Sequence, residues 1–113
     1  LSKYVTTPIK FANSSSFVRI KLGANCPNEA DIKVYYKTCL GDSKQLDTIR
    51  YTLASADNNG IIKVDNGNYA FSDVDYTMNN MTPFDTIAIK IVMQSTNSSA
   101  TPIIKDFRVI ACA

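Results

Sequence analysis

Histidine and tryptophan are both absent from this sequence of 113 residues. Without histidine, neither a Ser-His-Asp triad nor a Cys-His pair can form, which excludes the commonest designs for nucleophilic catalysis. Neither a glycine-rich phosphate-binding loop nor a dinucleotide fingerprint occurs. We therefore expect that the protein is not an enzyme and that it requires no cofactor.

Cysteine is scarce and odd in number, so Cys26, Cys39 and Cys112 cannot all pair within the chain. Their spacing matches no zinc site, and histidine, the other common zinc ligand, is missing. The sequence therefore predicts no bound metal and three small thiols that are buried or half-buried. Free thiols of this kind suit a reducing compartment.

The chain also lacks a run of like charges and a long apolar run. Its 12 basic and 10 acidic residues are interspersed and give a net charge of +2 at pH 7. Because nucleic-acid-binding proteins concentrate basic residues on one surface, we expect no nucleic-acid partner. No stretch approaches the roughly 20 apolar residues of a membrane-spanning helix, so we expect no membrane insertion.

The residues that are present are typical of one globular domain. Apolar residues make up 45% and charged residues 19% of the chain, and its length suits a single domain over residues 1–113. Since the first residue is Leu1 rather than methionine, we expect this domain to be a segment of a longer chain.

Apolar and polar residues alternate with a period of two along most of the chain, a pattern typical of β-strands. Clusters of glycine, asparagine, aspartate and proline separate the runs and favour tight turns. Pro8 is expected to mark an edge or a bend of the first strand. Strands are predicted over residues 3–11, 17–22, 31–38, 46–53, 61–64, 69–78, 85–94 and 103–111. The sequence therefore predicts an all-β fold, an antiparallel β-sandwich of seven or eight strands with a jelly-roll-like arrangement.

The closing strand carries a lone Asp-x-Arg pair. Strict alternation places two sets of residues on opposite faces: Ile103, Phe107, Val109 and Ala111 on one, and Ile104, Asp106, Arg108 and Ile110 on the other. Asp106 and Arg108 would then share a face at a spacing of about 7 Å. We interpret them as a structural ion pair or anchor, and a contact to an adjoining subunit is the alternative.

Two groups of acidic residues are weaker candidates for chemistry. Asp73 and Asp75 could form a carboxylate pair of the glycosidase type, although a solvated position or one opposite a lysine is the simpler interpretation. Residues 57–60 (DNNG) and 65–68 (DNGN) offer oxygen ligands for calcium. Neither segment has the spacing of a calcium loop, and both are typical of hairpin turns.

Tyrosine is the most frequent aromatic residue, and several tyrosines lie on or near predicted strands: Tyr35, Tyr36, Tyr51, Tyr69 and Tyr76. Such rings could form a platform on which sugars stack. Tyrosine is also favoured in strands and at protein interfaces, and the absence of tryptophan weakens the sugar interpretation. Both interpretations stay open.

Three motifs carry a resemblance to a known family: IKVYYKT (residues 32–38), PFDTIAIKIVMQST (residues 83–96) and PIIKDFRVIA (residues 102–111). Together with the opening YVTTPIKF, they resemble a domain in virion structural proteins of T-even-like contractile-tailed bacteriophages. In that family the domain is a module of long baseplate-wedge or tail-associated chains. Residues 40–80 match the pattern poorly.

The resemblance implies a structural assembly module in a bacteriophage tail or baseplate, located in the virion and assembled in the host cytoplasm. Its partners would be other virion subunits or further domains of the same chain. We expect Tyr35, Tyr51 and Arg108 at such a contact. The alternative is a carbohydrate-binding β-sandwich module that recognises host-surface glycans.

Overall fold

The computed structural model describes residues 2–112 and consists of two β-sheets packed face to face. Nine strands are present in these residues: β1 (Ser2–Val5), β2 (Ile9–Ser15), β3 (Phe17–Pro27), β4 (Ala30–Cys39), β5 (Thr52–Leu53), β6 (Lys63–Val64), β7 (Ser72–Met78), β8 (Phe84–Ser95) and β9 (Ile103–Cys112). All pairings except that of β3 with β6 are antiparallel. The predicted antiparallel β-sandwich is confirmed, whereas the strand order does not establish a jelly roll.

The first sheet has five strands and is built around β8. On one side β8 pairs with β4, which in turn pairs with β5. On the other side it pairs with both β1 and β2, so these two short strands form one interrupted edge. Pro8 lies in the interruption, as expected of a residue without an N–H to donate. This break divides the predicted first strand into two.

The second sheet is built around β3, which has β7 on one side and β9 on the other. The short strand β6 adds a two-residue parallel pairing at Cys26 and Pro27, at the end of β3.

Among the residues that the structure describes, no helix is long and apolar enough to cross a membrane.

The core lies between the inward faces of the two sheets. Ile87, Ile89 and Ile91 of β8 are fully buried, and they face Val18 and Ile20 of β3 within one continuous apolar cluster. Fully burying each such side chain stabilises the fold by about 1.5–3 kcal/mol relative to exposure. The period of two in the sequence is therefore the period of core contacts in the central strands.

One buried polar side chain fixes the loop that follows β6. The Asn25 side chain is buried, and its Nδ2 donates to the backbone carbonyls of Asn68 at 2.7 Å and of Ala70 at 2.8 Å. Both amide hydrogens are thereby used, which offsets the cost of burying the group. The hydrogen bonds attach a segment without regular structure to the central strand of its sheet.

The predicted strand over residues 46–53 is wrong for most of its length. A 3₁₀ helix spans Ser43–Thr48, and only Thr52–Leu53 pair as β5. Asp42 caps the helix by accepting a hydrogen bond from the Lys44 N–H at 2.9 Å. Leu46 is the buried residue of this helix and packs against Cys39 and Ala88 on the back of the first sheet. A single buried residue leaves no periodic signal in the sequence.

The predicted faces of the closing strand are wrong at its beginning. Lys21 pairs with Arg108 but Gly23 pairs with Lys105, so two residues of β9 stand opposite one residue of β3. Asp106 has a left-handed backbone with φ of 53° at this β-bulge. The extra residue reverses the alternation, so Ile104 packs against the core and Ile103 is 42% exposed.

The three cysteines are free thiols in the described chain. Cys26 and Cys39 are buried, as predicted, whereas Cys112 is exposed at the end of β9. Burial raises the pKa of the Cys26 thiol, which donates to the carbonyl of Ala30 at 3.4 Å. Cys26 therefore behaves as a small core residue rather than as a reactive nucleophile.

Replacing the buried residue of the 3₁₀ helix should destabilise the protein. We expect Leu46→Ala to lower the free energy of unfolding by about 2–5 kcal/mol, because it leaves a cavity beside Cys39 and Ala88. Leu40→Ala, the same change at an exposed position six residues earlier, should cost less than about 0.5 kcal/mol. Urea unfolding measures both, and equal losses would contradict the assigned position of Leu46.

Tyr76 should make stability depend on pH in the alkaline range. The residue is 2% exposed, and burial raises the pKa of its phenol from the usual 10.0 to about 12. The unfolded chain then releases this proton at lower pH than the folded chain. The contribution of Tyr76 to the free energy of unfolding is therefore fully present below pH 10 and is lost as pH rises toward about 12. Urea unfolding across this range should show a shallower decline for Tyr76→Phe. The control, Tyr69→Phe at an exposed position, should keep the original slope.

Candidate functional site

Tyr35 and Tyr51, predicted as contact residues, come together on the outer face of the five-stranded sheet. Tyr35 lies on β4 and pairs with Lys90 of β8 on one side and with Leu53 of β5 on the other. Tyr51 directly precedes β5, after the 3₁₀ helix has turned the chain back toward the sheet. Both rings are half-buried.

Two lysines lie over these rings. The Lys90 Nζ is 4.8 Å from the centroid of the Tyr35 ring and 4.6 Å from that of Tyr51, and the Lys37 Nζ is 4.5 Å from the Tyr51 centroid. Each such cation–π contact contributes about 0.5–1 kcal/mol at an exposed site. Partial burial also raises the pKa of the Tyr51 phenol. We call Tyr35, Lys37, Tyr51 and Lys90 the tyrosine–lysine cluster.

Cross-strand rows extend the cluster into a broader surface. Val5, which is 47% exposed, pairs with Lys90, and Leu53 is 54% exposed on the opposite side of Tyr35. The next row places Lys3 and Lys33 on either side of Val92. The outer face of this sheet thus combines aromatic and aliphatic side chains with several ammonium groups.

Arg108, the third predicted contact residue, lies on the opposite side of the sandwich. It is exposed on β9, where it pairs with Lys21 of β3 on the outer face of the second sheet. The three predicted contact residues therefore do not form one surface. Strand periodicity places a residue inside or outside, but it does not tell which of the two sheets carries it.

Arg108 contributes instead to a charged surface pocket of about 410 Å³ that also contains Lys21, Asp73, Asp75 and Asp106. Asp75 pairs with Lys21 at 3.5 Å, so this carboxylate does face a lysine. The predicted Asp106–Arg108 ion pair is not among the three ion pairs found between residues 2 and 112. The bulge at Asp106 removes the two residues from the regular spacing of one strand face.

The two segments considered for calcium act as turns. The Asp57 carboxylate accepts hydrogen bonds from the Thr77 N–H at 3.2 Å and from its hydroxyl at 2.5 Å. The Gly60 N–H closes the turn on the Asp57 carbonyl, and the second segment closes in the same way between Asn68 and Asp65. Nowhere in the described chain do three histidine, cysteine or acidic residues converge to hold a metal.

Sequence reasoning missed the lysines of the cluster. The position of Lys37 could have been predicted, because it is two residues from Tyr35 on a predicted strand and so projects from the same face. The position of Lys90 could not have been predicted, because its placement over both rings depends on the register between β4 and β8. Tyr51 also depends on the 3₁₀ helix that precedes it.

No protein-family model, no curated protein and no solved structure matches this chain. The support for a function therefore comes from the geometry of the sandwich and from the motifs in the sequence.

The left-handed backbone at Asp106 generates a prediction about stability. A β-branched residue is strained at positive φ, so we expect Asp106→Val to lower the free energy of unfolding by about 1–2 kcal/mol, whereas Asp106→Gly should not lower it. The order should reverse at Arg108, a regular strand position where valine is favoured over glycine. Urea unfolding of the four variants tests this, and the same order at both positions would contradict the bulge.

Proposed function

We propose that this chain is a structural assembly module of a virion protein from a contractile-tailed bacteriophage, in the baseplate or elsewhere in the tail. It contacts neighbouring subunits, or further domains of its own chain, through the outer face of the five-stranded sheet. It is assembled with them in the host cytoplasm. The virion context is supported by the resemblance of residues 32–38, 83–96 and 102–111, which include most of β4, β8 and β9.

The observation that carries the assembly role is the tyrosine–lysine cluster with its exposed aliphatic neighbours. Protein interfaces are rich in tyrosine, whose large rigid ring contacts a partner at little cost in conformational entropy. Here Tyr35 is held by the sheet register, and lysines lie over the rings of both Tyr35 and Tyr51, so little order is lost on binding. Val5 and Leu53 add apolar area at either end of the same row.

The same geometry weighs against the alternative, a carbohydrate-binding module. A sugar that stacks on an aromatic ring needs a free ring face. At Tyr51, two ammonium groups lie within 4.6 Å of the ring centroid, and one of them also covers Tyr35. A stacking sugar would have to compete with these lysines, whereas a protein partner can contact the ring edges, the lysines and the aliphatic residues together.

The assembly role predicts where the parent protein, meaning the protein that contains this domain, is found and which tyrosines it needs. We expect mass spectrometry of purified virions to detect the parent protein. The Tyr35→Ala/Tyr51→Ala variant should be incorporated at a level reduced by about tenfold, which corresponds to a loss of about 1.4 kcal/mol in contact energy. Tyr69→Ala, at an exposed position on a loop, should be incorporated normally.

Absence of the parent protein from virions would overturn the proposal. Equal loss of incorporation for Tyr69→Ala would overturn the assignment of the contact face. Saturable binding of a host polysaccharide that disappears with Tyr35→Ala/Tyr51→Ala would favour the carbohydrate-binding alternative. Circular dichroism of each variant confirms that the sandwich is intact.

A further inference from the structure

The outer face of the five-stranded sheet has an excess of positive charge. Lys3, Lys33, Lys37 and Lys90 occupy outward positions on β1, β4 and β8, in rows set by the strand register. At the beginning of β4, Asp31 is already paired with Lys63 at 3.1 Å. Because the net charge of the whole chain is only +2, this concentration of lysines is a local feature.

The lysines of the tyrosine–lysine cluster lack a carboxylate partner within the described chain. Neither Lys37 nor Lys90 belongs to the three ion pairs found between residues 2 and 112. Lys37 donates one hydrogen bond, to the carbonyl of Ile49 at 3.4 Å, although an ammonium group has three donors. The rings hold both ammonium groups in place while leaving donors available to an incoming acceptor.

We propose that the partner docks an extended acidic protein segment on this face, along β4. Lys33, Tyr35 and Lys37 project from the same face at every second residue of β4. An extended segment also repeats every second residue, at about 7 Å. A segment in which two carboxylates flank an apolar residue, each separated from it by one position, would place its carboxylates at the two lysines and its apolar side chain at Tyr35.

An acidic protein segment fits this face better than a nucleic acid. Bases bind to proteins by stacking on free aromatic faces, and here Lys90 lies over the rings of both Tyr35 and Tyr51, and Lys37 also lies over Tyr51. Val92 and Leu53, which lie beside the lysines, have no role in binding a phosphate backbone but suit the apolar residues of a peptide. This inference rests on the proposed assembly role, since it names the chemistry of the partner at the same face.

A titration of the intact chain tests the proposal. The probe is a soluble peptide that repeats Glu-Ser-Leu-Ser-Glu, and the matched control peptide has glutamine in place of every glutamate. NMR titration should show saturable, salt-sensitive changes in the chemical shifts of β4 and β8 residues with the acidic peptide but not with the control peptide. Lys33→Gln/Lys37→Gln, which removes the two lysines of β4 that the carboxylates would contact, should weaken binding by about tenfold. The control variant Lys21→Gln/Arg108→Gln removes equal charge from the other sheet and should change affinity by less than about twofold.

Each other outcome overturns the inference. Equal binding of the glutamine peptide would show that charge is not recognised, and equal weakening by both double variants would show only general attraction to a basic protein. Tighter binding of oligothymidylate than of the acidic peptide would assign the face to nucleic acid. Absence of saturable binding would remove the acidic segment as the occupant, while detection of the parent protein in virions would leave the assembly role standing.

Discussion

The burial of the β8 isoleucines between the two sheets is the contact on which the rest of the structure depends. Ile87, Ile89 and Ile91 are at most 1% exposed, and their strand is paired on both sides. A strand buried on its inner face has a fixed register, because a slip of one residue would expose the whole apolar row. The same constraint fixes the backbone positions of the outward residues, so the core places Lys90 beside Tyr35 in the cross-strand row, and its ammonium lies over the rings of Tyr35 and Tyr51.

The bulge in β9 shows how one residue changes the surface of a sheet. Asp106 takes the left-handed conformation, and the residues after it regain an alternation that places Phe107 and Val109 toward the core. Phe107 then meets Tyr4 of the first sheet edge-to-face, with ring centroids 6.2 Å apart. A bulge on an edge strand also discourages pairing with another chain, which supports the sheet face rather than this edge as the surface for the proposed assembly.

The sequence was sufficient for the fold class and for the inner faces of β3, β4 and β8, because both follow from a period of two. It also contained a sign of the bulge. Strict alternation would have put Lys105 between Ile103 and Phe107 on the apolar face, a burial that one extra residue avoids. The 3₁₀ helix at Ser43–Thr48 left no such sign, since a single buried leucine has no period. Tyr35 and Tyr51 could be proposed as contact residues from the sequence. That Lys90 lies over both rings could not be predicted, because this contact depends on pairing between strands about 50 residues apart.

The position of the lysines over the rings has a consequence for binding. A cation–π contact at an exposed site contributes about 0.5–1 kcal/mol, so the ammonium groups are held in place without being tightly committed. An arriving carboxylate can accept hydrogen bonds from Lys37 or Lys90 while each ammonium stays near its ring, and the ring contact need not be given up first. A sugar or a base that stacks on Tyr51 has the opposite effect, since it replaces the ammonium on the ring. Under the proposed assembly role, carboxylates are the partners that we expect the cluster to favour, because they contact the lysines without displacing them from the rings.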